Sequence, residues 1–283
     1  LSLAVKFNAE KGEFVATGKL LPAGKVAKLF EKFYSTDFDD NLYNYFTDES
    51  LMAFKLAIKP LDVYDEYKKY AGNMAGYDQN IAALVKRYDP KITSILGHFT
   101  GDLLASLSSV SIGDIPDFTV AAGILEGKAG EVAALVEGLG FTKTPEGYYA
   151  LGRSFYFAVN DKAACLTGTL AHVKNFLNGG SYKPNITAAA GFGAALKNAP
   201  VYFYWDVNIN KYPAILKSGI AMTPVGNSIL PLLERLDAIT VRTVDTNGSE
   251  FKVKFTNKND YASKTFLQSF DEWAFQYFRQ YME

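Results

Sequence analysis

Histidine and cysteine are nearly missing from this chain. Among 283 residues there are two histidines, His98 and His172, and one cysteine, Cys165. A single cysteine excludes an internal disulfide, and a chain of this length needs none to bury a core. Two histidines 74 positions apart, with no HExxH and no cysteine pair, exclude the usual zinc signatures. No charge of one sign dominates: 29 Lys and Arg face 30 Asp and Glu, for a net charge of −1. That balance lacks the basic footprint that nucleic acid demands, and no polybasic membrane patch is visible. No run of 18 apolar residues exists, so no membrane-spanning helix is expected. Gly-x-Ser-x-Gly and Walker-type loops are absent as well. Gly191-Phe-Gly193 lacks both a preceding strand and the third glycine of a dinucleotide fingerprint, so it reads as the start of a small-residue helix. No cofactor and no metal is expected. The acidic run TDFDD at 36–40 lacks the spacing of a calcium loop and reads as a solvated loop.

Aromatic residues are plentiful, with 21 Phe and 18 Tyr. They fall into short strand-like runs, several of which lead straight into a helix. LMAFKLAI at 51–58 precedes a helical pattern from Pro60, and VYFYWDV at 201–207 precedes one running to about 216. Phe54 and Phe203 align at an offset of 149 residues. Alternation predicts a hairpin over 3–17, a second over 155–167 and a third over 239–255 turning at Asn247-Gly248. A less distinct one is expected around 101–110. Helices are expected over 23–34, 128–139, 170–177 and 260–281, and loops at 72–76 and 177–181. The resulting order, strand, helix, hairpin, helix, predicts an α+β fold of repeated βαββα units, each like half of a ferredoxin-like unit. Antiparallel sheets with helices packed on one face are expected. Two parts are expected, 1–110 (starting inside a unit) and 111–283, with one continuous domain as the other reading.

Candidate binding residues are aromatic. In the 201–207 strand Val201, Phe203, Trp205 and Val207 share one face, and Tyr202, Tyr204 and Asp206 share the other. The first face is expected in the core. Tyr202, Tyr204 and Asp206 are the candidate ligand-binding set, a stacking platform for sugars, with plain strand surface beneath a helix as the other reading. Tyr148 and Tyr149 form a weaker version. Carboxylate chemistry would draw on Asp102, Asp114, Asp117, Glu126 or Asp206 if two of them faced one cleft. Cys165 lies in an apolar strand pattern and is expected buried and inert. On the last helix Phe266, Phe270, Trp273 and Tyr277 recur at spacings of four, three and four, a stripe expected in the core.

The segments AIKPL at 57–61, FTGDLLASL at 99–107, GYYALG at 147–152 and FYFAVN at 155–160 resemble a family of uncharacterised Bacteroidetes cell-envelope proteins, a domain of unknown function. The resemblance spreads over about residues 50 to 283. Members look like exported lipoproteins. The resemblance implies a periplasmic, outer-membrane or cell-surface location in a Gram-negative bacterium. It assigns no functional residues. The lipid-attachment cysteine of such proteins is not present, and a lipid anchor upstream of Leu1 is the expectation, since the chain opens on LSLAVKF without a Met. The function expected is that of a non-enzymatic exported binding or structural module whose partner is a glycan or another envelope protein. A carboxylate-dependent glycan or cell-envelope hydrolase is the alternative.

Overall fold

The structure, a computed structural model, describes residues 2–21, 28, 31–35, 37–74, 79–110, 115–245 and 248–282. Twelve strands form one sheet in which all neighbouring strands run antiparallel, in the order β1-β2-β12-β11-β10-β3-β4-β5-β9-β8-β7-β6. On one side of the middle lie β1 (Ser2–Glu10), β2 (Glu13–Leu21), β12 (Gly248–Phe255), β11 (Leu236–Asp245) and β10 (Val201–Asp206). On the other lie β3 (Met52–Ala57), β4 (Phe99–Ser109), β5 (Asp117–Ile124), β9 (Ala163–Thr167), β8 (Phe155–Val159), β7 (Tyr149–Leu151) and β6 (Thr142–Lys143). The helices are α1 (Pro60–Met74), α2 (Gln79–Leu96), α3 (Ala129–Gly138), α4 (Leu170–Leu177), α5 (Gly193–Asn198), α6 (Ala214–Ala221), α7 (Pro224–Arg235) and α8 (Ala262–Met282).

β3 and β10 meet at the middle, with Phe54 directly opposite Phe203. On each side the central strand leads into two helices and then into a hairpin that lies next to it: α1 and α2 into β4-β5, α6 and α7 into β11-β12. Each hairpin is then continued by an earlier or later one, β9-β8 on one side and β2-β1 on the other. Turn chemistry fixes the starts of these helices. Pro60 opens α1, where its missing N–H costs nothing. Thr223 caps α7 by accepting from the Gly226 N–H at 2.9 Å.

This arrangement corrects the expected architecture. The strand-helix-hairpin-helix units do not close as separate ferredoxin-like halves; they share one open sheet that runs past residue 110, because β4 pairs with β5 and β2 with β12. Helices also occupy both faces, not one. On the first face α4, α5 and the 3-10 turns Asp40–Tyr45 and Ile186–Ala188 cover Ala53, Leu104, Ala121, Cys165, Tyr202 and Tyr204. On the second face α3 covers Phe157 and Ala164, and α8 sits beside α7. A strand with apolar residues on both faces must be covered on both, which period-2 counting alone does not reveal. The hairpin expected over 101–110 is instead one eleven-residue strand, β4. The hairpins over 3–17, 155–167 and 239–255 do form. Most of the helix expected over 23–34 falls outside the described residues, as does Asn247.

The last helix reverses its expected orientation. Its seated face consists of Ala262, Thr265 and Ser269, whereas Phe266 is 57% and Phe270 52% exposed. Small side chains let α8 approach α7 closely, and Arg235 locks the pair, donating to Ser269 Oγ at 2.9 Å and pairing with Glu272 at 2.6 Å. The side chain of Tyr277 lies outside the described residues.

Candidate functional site

The second face carries an apolar groove of about 580 Å³ between α7, α8 and the sheet. Strand alternation builds its floor. In β12, Phe251, Val253 and Phe255 point one way while Glu250, Lys252 and Lys254 point the other. Phe14 of β2 and Ile239 of β11 extend the floor, since both pair opposite Val253. Leu232 of α7 forms one wall, and Phe266 and Leu267 of α8 form the other. Ser263 is the one polar side chain of the lining among the described residues. Exposed Phe266 of α8 therefore lines a concave surface. A groove of this size and lining matches the usual small-molecule site, apart from the convergent polar groups that fix orientation.

A smaller groove of about 450 Å³ occupies the matching place on the other wing, between α2, α3 and β5-β9-β8. Ile95, Val120, Leu135, Phe157 and Leu166 line it, and Lys91 stands at its edge. Both grooves lie where the helix before a hairpin and the helix after it splay over the sheet.

Tyr202, Tyr204 and Asp206 were expected to form an outward platform. All three are buried on the first face, at 2%, 7% and 3% exposure. Tyr204 stacks on Phe192 with ring centroids 4.1 Å apart, and burial, then the neighbouring Asp206, push its phenol well above the ordinary range. Asp206 accepts from Lys211 Nζ at 2.5 Å and from the Asn208 N–H at 3.1 Å, so it anchors the turn after β10. The face expected in the core is the more open one: Trp205 is 40% exposed and Val201 and Phe203 are half-buried. Val207, expected beside them, is buried just beyond the end of the strand. Alternation shows that a strand has two faces and leaves open which of them is covered. Tyr202 alone of the three lines a cavity, a small polar one. Tyr148 and Tyr149 are buried as well, at the two cores on opposite faces.

The candidate carboxylates among the described residues do not converge. Asp102 and Asp206 sit on neighbours of β3 at its opposite ends, six residues or about 20 Å apart along the strand. Asp117 and Asp206 are three strands apart, about 14 Å. Both separations exceed what two glycosidase carboxylates need. Asp102 is buried, accepts from Thr100 Oγ1 at 3.0 Å and the Asp39 N–H at 3.4 Å, and has its pKa raised by desolvation. Glu126 lies in an exposed turn before α3, and Asp114 lies outside the described residues. His172 bonds to Tyr182 through Nδ1 and approaches Asp117 at 3.4 Å through Nε2; His98 approaches Glu131 at 3.1 Å. No cluster of three metal-ligating side chains is found among the described residues.

Sequence reasoning passed over Lys55. It is 3% exposed in the middle of β3, donating to Tyr43 Oη at 2.8 Å and to the Lys197 carbonyl at 3.0 Å, with its ammonium 4.3 Å from the Phe38 ring centre. The available signal was its position between Ala53 and Ala57, small residues on the same strand face that leave room for a covering layer.

Cys165 lies in β9 opposite Ala158, 1% exposed, its thiol pushed up to about 12 by burial. A thiol reagent is therefore expected to modify it only after denaturation. Stoichiometric labelling of native protein within minutes would show that β9 opens readily.

Comparison with protein-family models, with curated proteins and with solved structures finds no match for this chain.

Proposed function

We propose that this chain is a non-enzymatic binding module whose ligand is a linear apolar chain, such as an acyl chain, held between α7, α8 and the sheet. The observation that carries this is the groove itself: about 580 Å³, floored by Phe251, Val253 and Phe255, with one hydroxyl in its lining. Water in such a space gains few hydrogen bonds, so an apolar occupant is favoured by roughly 25 cal/mol for each Å² it removes from solvent. The carboxylate spacing above favours binding over hydrolysis. The envelope setting is what the sequence resemblance implies. No helix among the described residues is long and apolar enough to cross a membrane.

The test uses a naturally fluorescent polyunsaturated fatty acid. Saturable binding with one molecule per chain is expected. Leu267→Asp places a charge at the exposed wall of the groove and should weaken binding at least about tenfold, the cost of desolvating a carboxylate beside an apolar chain. Leu139→Asp, at the rim of the smaller groove, should leave it unchanged. Absence of saturation, or equal loss in both variants, would remove the assignment.

A further inference from the structure

The opposite face of β12 carries a different chemistry. Its charged residues, together with Thr240 and Arg242 of β11 and Tyr202 of β10, line a partly open pocket of about 120 Å³ that Gly191 and Ala195 also border. Three cations, Arg242, Lys252 and Lys254, meet one carboxylate, Glu250. None of the cations is fully engaged. Arg242 holds Glu250 through Nε at 2.8 Å, which leaves its two terminal amino groups as donors. Lys254 donates once, to the Gly191 carbonyl at 3.2 Å, and Lys252 pairs with Glu13 at 3.3 Å.

The second observation concerns hydroxyls. Tyr202 is 2% exposed and Thr240 6%, and neither hydroxyl has a hydrogen-bond partner among the described residues. The residues are buried, yet neither hydroxyl is among the atoms sealed from solvent without a partner, so each is open to a molecule in the pocket. Both residues line this pocket. We propose that the pocket binds a small oxyanion of phosphate size, held by Arg242, Lys252 and Lys254 and receiving hydrogen bonds from Tyr202 and Thr240. One guanidinium, two ammonium groups and two hydroxyls outnumber the single carboxylate of Glu250 around the pocket, and this excess of donors suits an acceptor-only ligand. The volume excludes a sugar ring or a nucleoside and admits the oxyanion of a free phosphate or of a phosphomonoester whose remainder stays outside. Burial keeps the Tyr202 phenol up at about 12, so it stays protonated and able to donate at neutral pH. The site lies across the sheet from the apolar groove and does not depend on it.

Inorganic phosphate is titrated into the full chain in about 0.1 M chloride, followed by calorimetry and by the thermal midpoint, with glycerol 3-phosphate as a second arm. The expected result is one saturable site and a midpoint that rises with phosphate. Tyr202→Phe should fold with an unchanged midpoint in the absence of phosphate and bind about tenfold more weakly, the loss of one bond to a charged group. The double variant Lys252→Gln, Lys254→Gln should lose at least about tenfold, while Lys6→Gln, an exposed charge on β1, should lose nothing. If glycerol 3-phosphate binds as well as phosphate, the ligand class is a phosphomonoester; if only the free ion binds, it is the free ion. Absence of saturation overturns the proposal, as does an equal loss in Lys6→Gln. Undiminished binding in Tyr202→Phe also overturns it, because the attraction would then be unspecific charge, with water filling the pocket.

Discussion

Gly101→Ala is expected to destabilise the protein by about 3–5 kcal/mol, a large part of the roughly 5–15 kcal/mol that holds a typical domain. Gly101 opens the long strand β4 at φ +98°, a backbone state that residues with a Cβ rarely adopt. Strain is only part of the cost. An added Cβ would stand 1.9 Å from the Ile58 carbonyl oxygen and 2.7 Å from Pro60 Cδ. Backbone supplies the closer contact, so no rotamer change relieves it. Relief would pull β4 away from the end of β3, where the Ile58 N–H donates to the Gly101 carbonyl at 3.2 Å. β3 and β4 lie in the middle of the sheet, so the disturbance reaches both wings. Gly147→Ala is the control. It has φ +94° but open space around the added carbon, so strain alone should cost about 1–2 kcal/mol. Urea unfolding of the two variants checks this. Equal losses would show that the contact with Ile58 is not what requires glycine.

Stability should rise with pH through the alkaline range because of Lys55. Burial lowers its pKa to about 8 from 10.5; Asp40 and Asp102 offset part of that burial, and Lys197 adds slightly to the lowering. Between these values the unfolded chain holds a proton that the folded chain has released. Unfolding then takes up protons, so raising the pH favours the folded state. The penalty of the buried ammonium is fully present below pH 8 and is relieved as pH climbs towards 10.5. The whole span is worth about 3 kcal/mol, of which about 2 falls between about pH 7.5 and 9.5. Lys55→Met should remove this slope, and the difference between the two profiles is the quantity to measure. Cys165, Tyr43 and Tyr204 have raised pKa values through burial and act in the opposite sense above their ordinary values near 9 and 10; both proteins share them, so they cancel in the difference between the two profiles. Parallel profiles for the two proteins would mean that Lys55 keeps its proton when folded or reaches water.

Local elements were largely legible. The hairpins over 3–17, 155–167 and 239–255, the helix over 170–177 and the strand starting at Val201 are visible in alternation and spacing, because each is set by residues close in sequence. The burial of Cys165 followed from an apolar run on both sides of it. The sequence by itself also determined that β12 has one charged and one apolar face. It determined too that Phe54 and Phe203 occupy like positions. It did not determine that they would face each other across the middle of a single sheet. That is a choice of strand neighbour, made between residues 149 apart, and pairing partners leave no trace in period-2 patterning.

Tertiary structure alone decided which face of each element is inside. The sequence pattern showed two rows on β10, but only the seating of α5 and Phe192 over Tyr202 and Tyr204 turned the tyrosine row inward and left Trp205 half open. On α8 the aromatic row is the more hydrophobic, yet the helix docks on Ala262, Thr265 and Ser269, because close approach to α7 and the two contacts of Arg235 need small side chains and hydroxyls there. Hydrophobicity sets how much a side chain gains from burial. The shape of the surface that reaches it sets whether it is buried. For Phe266 that surface ends one row short, and its ring is left at the wall of the groove.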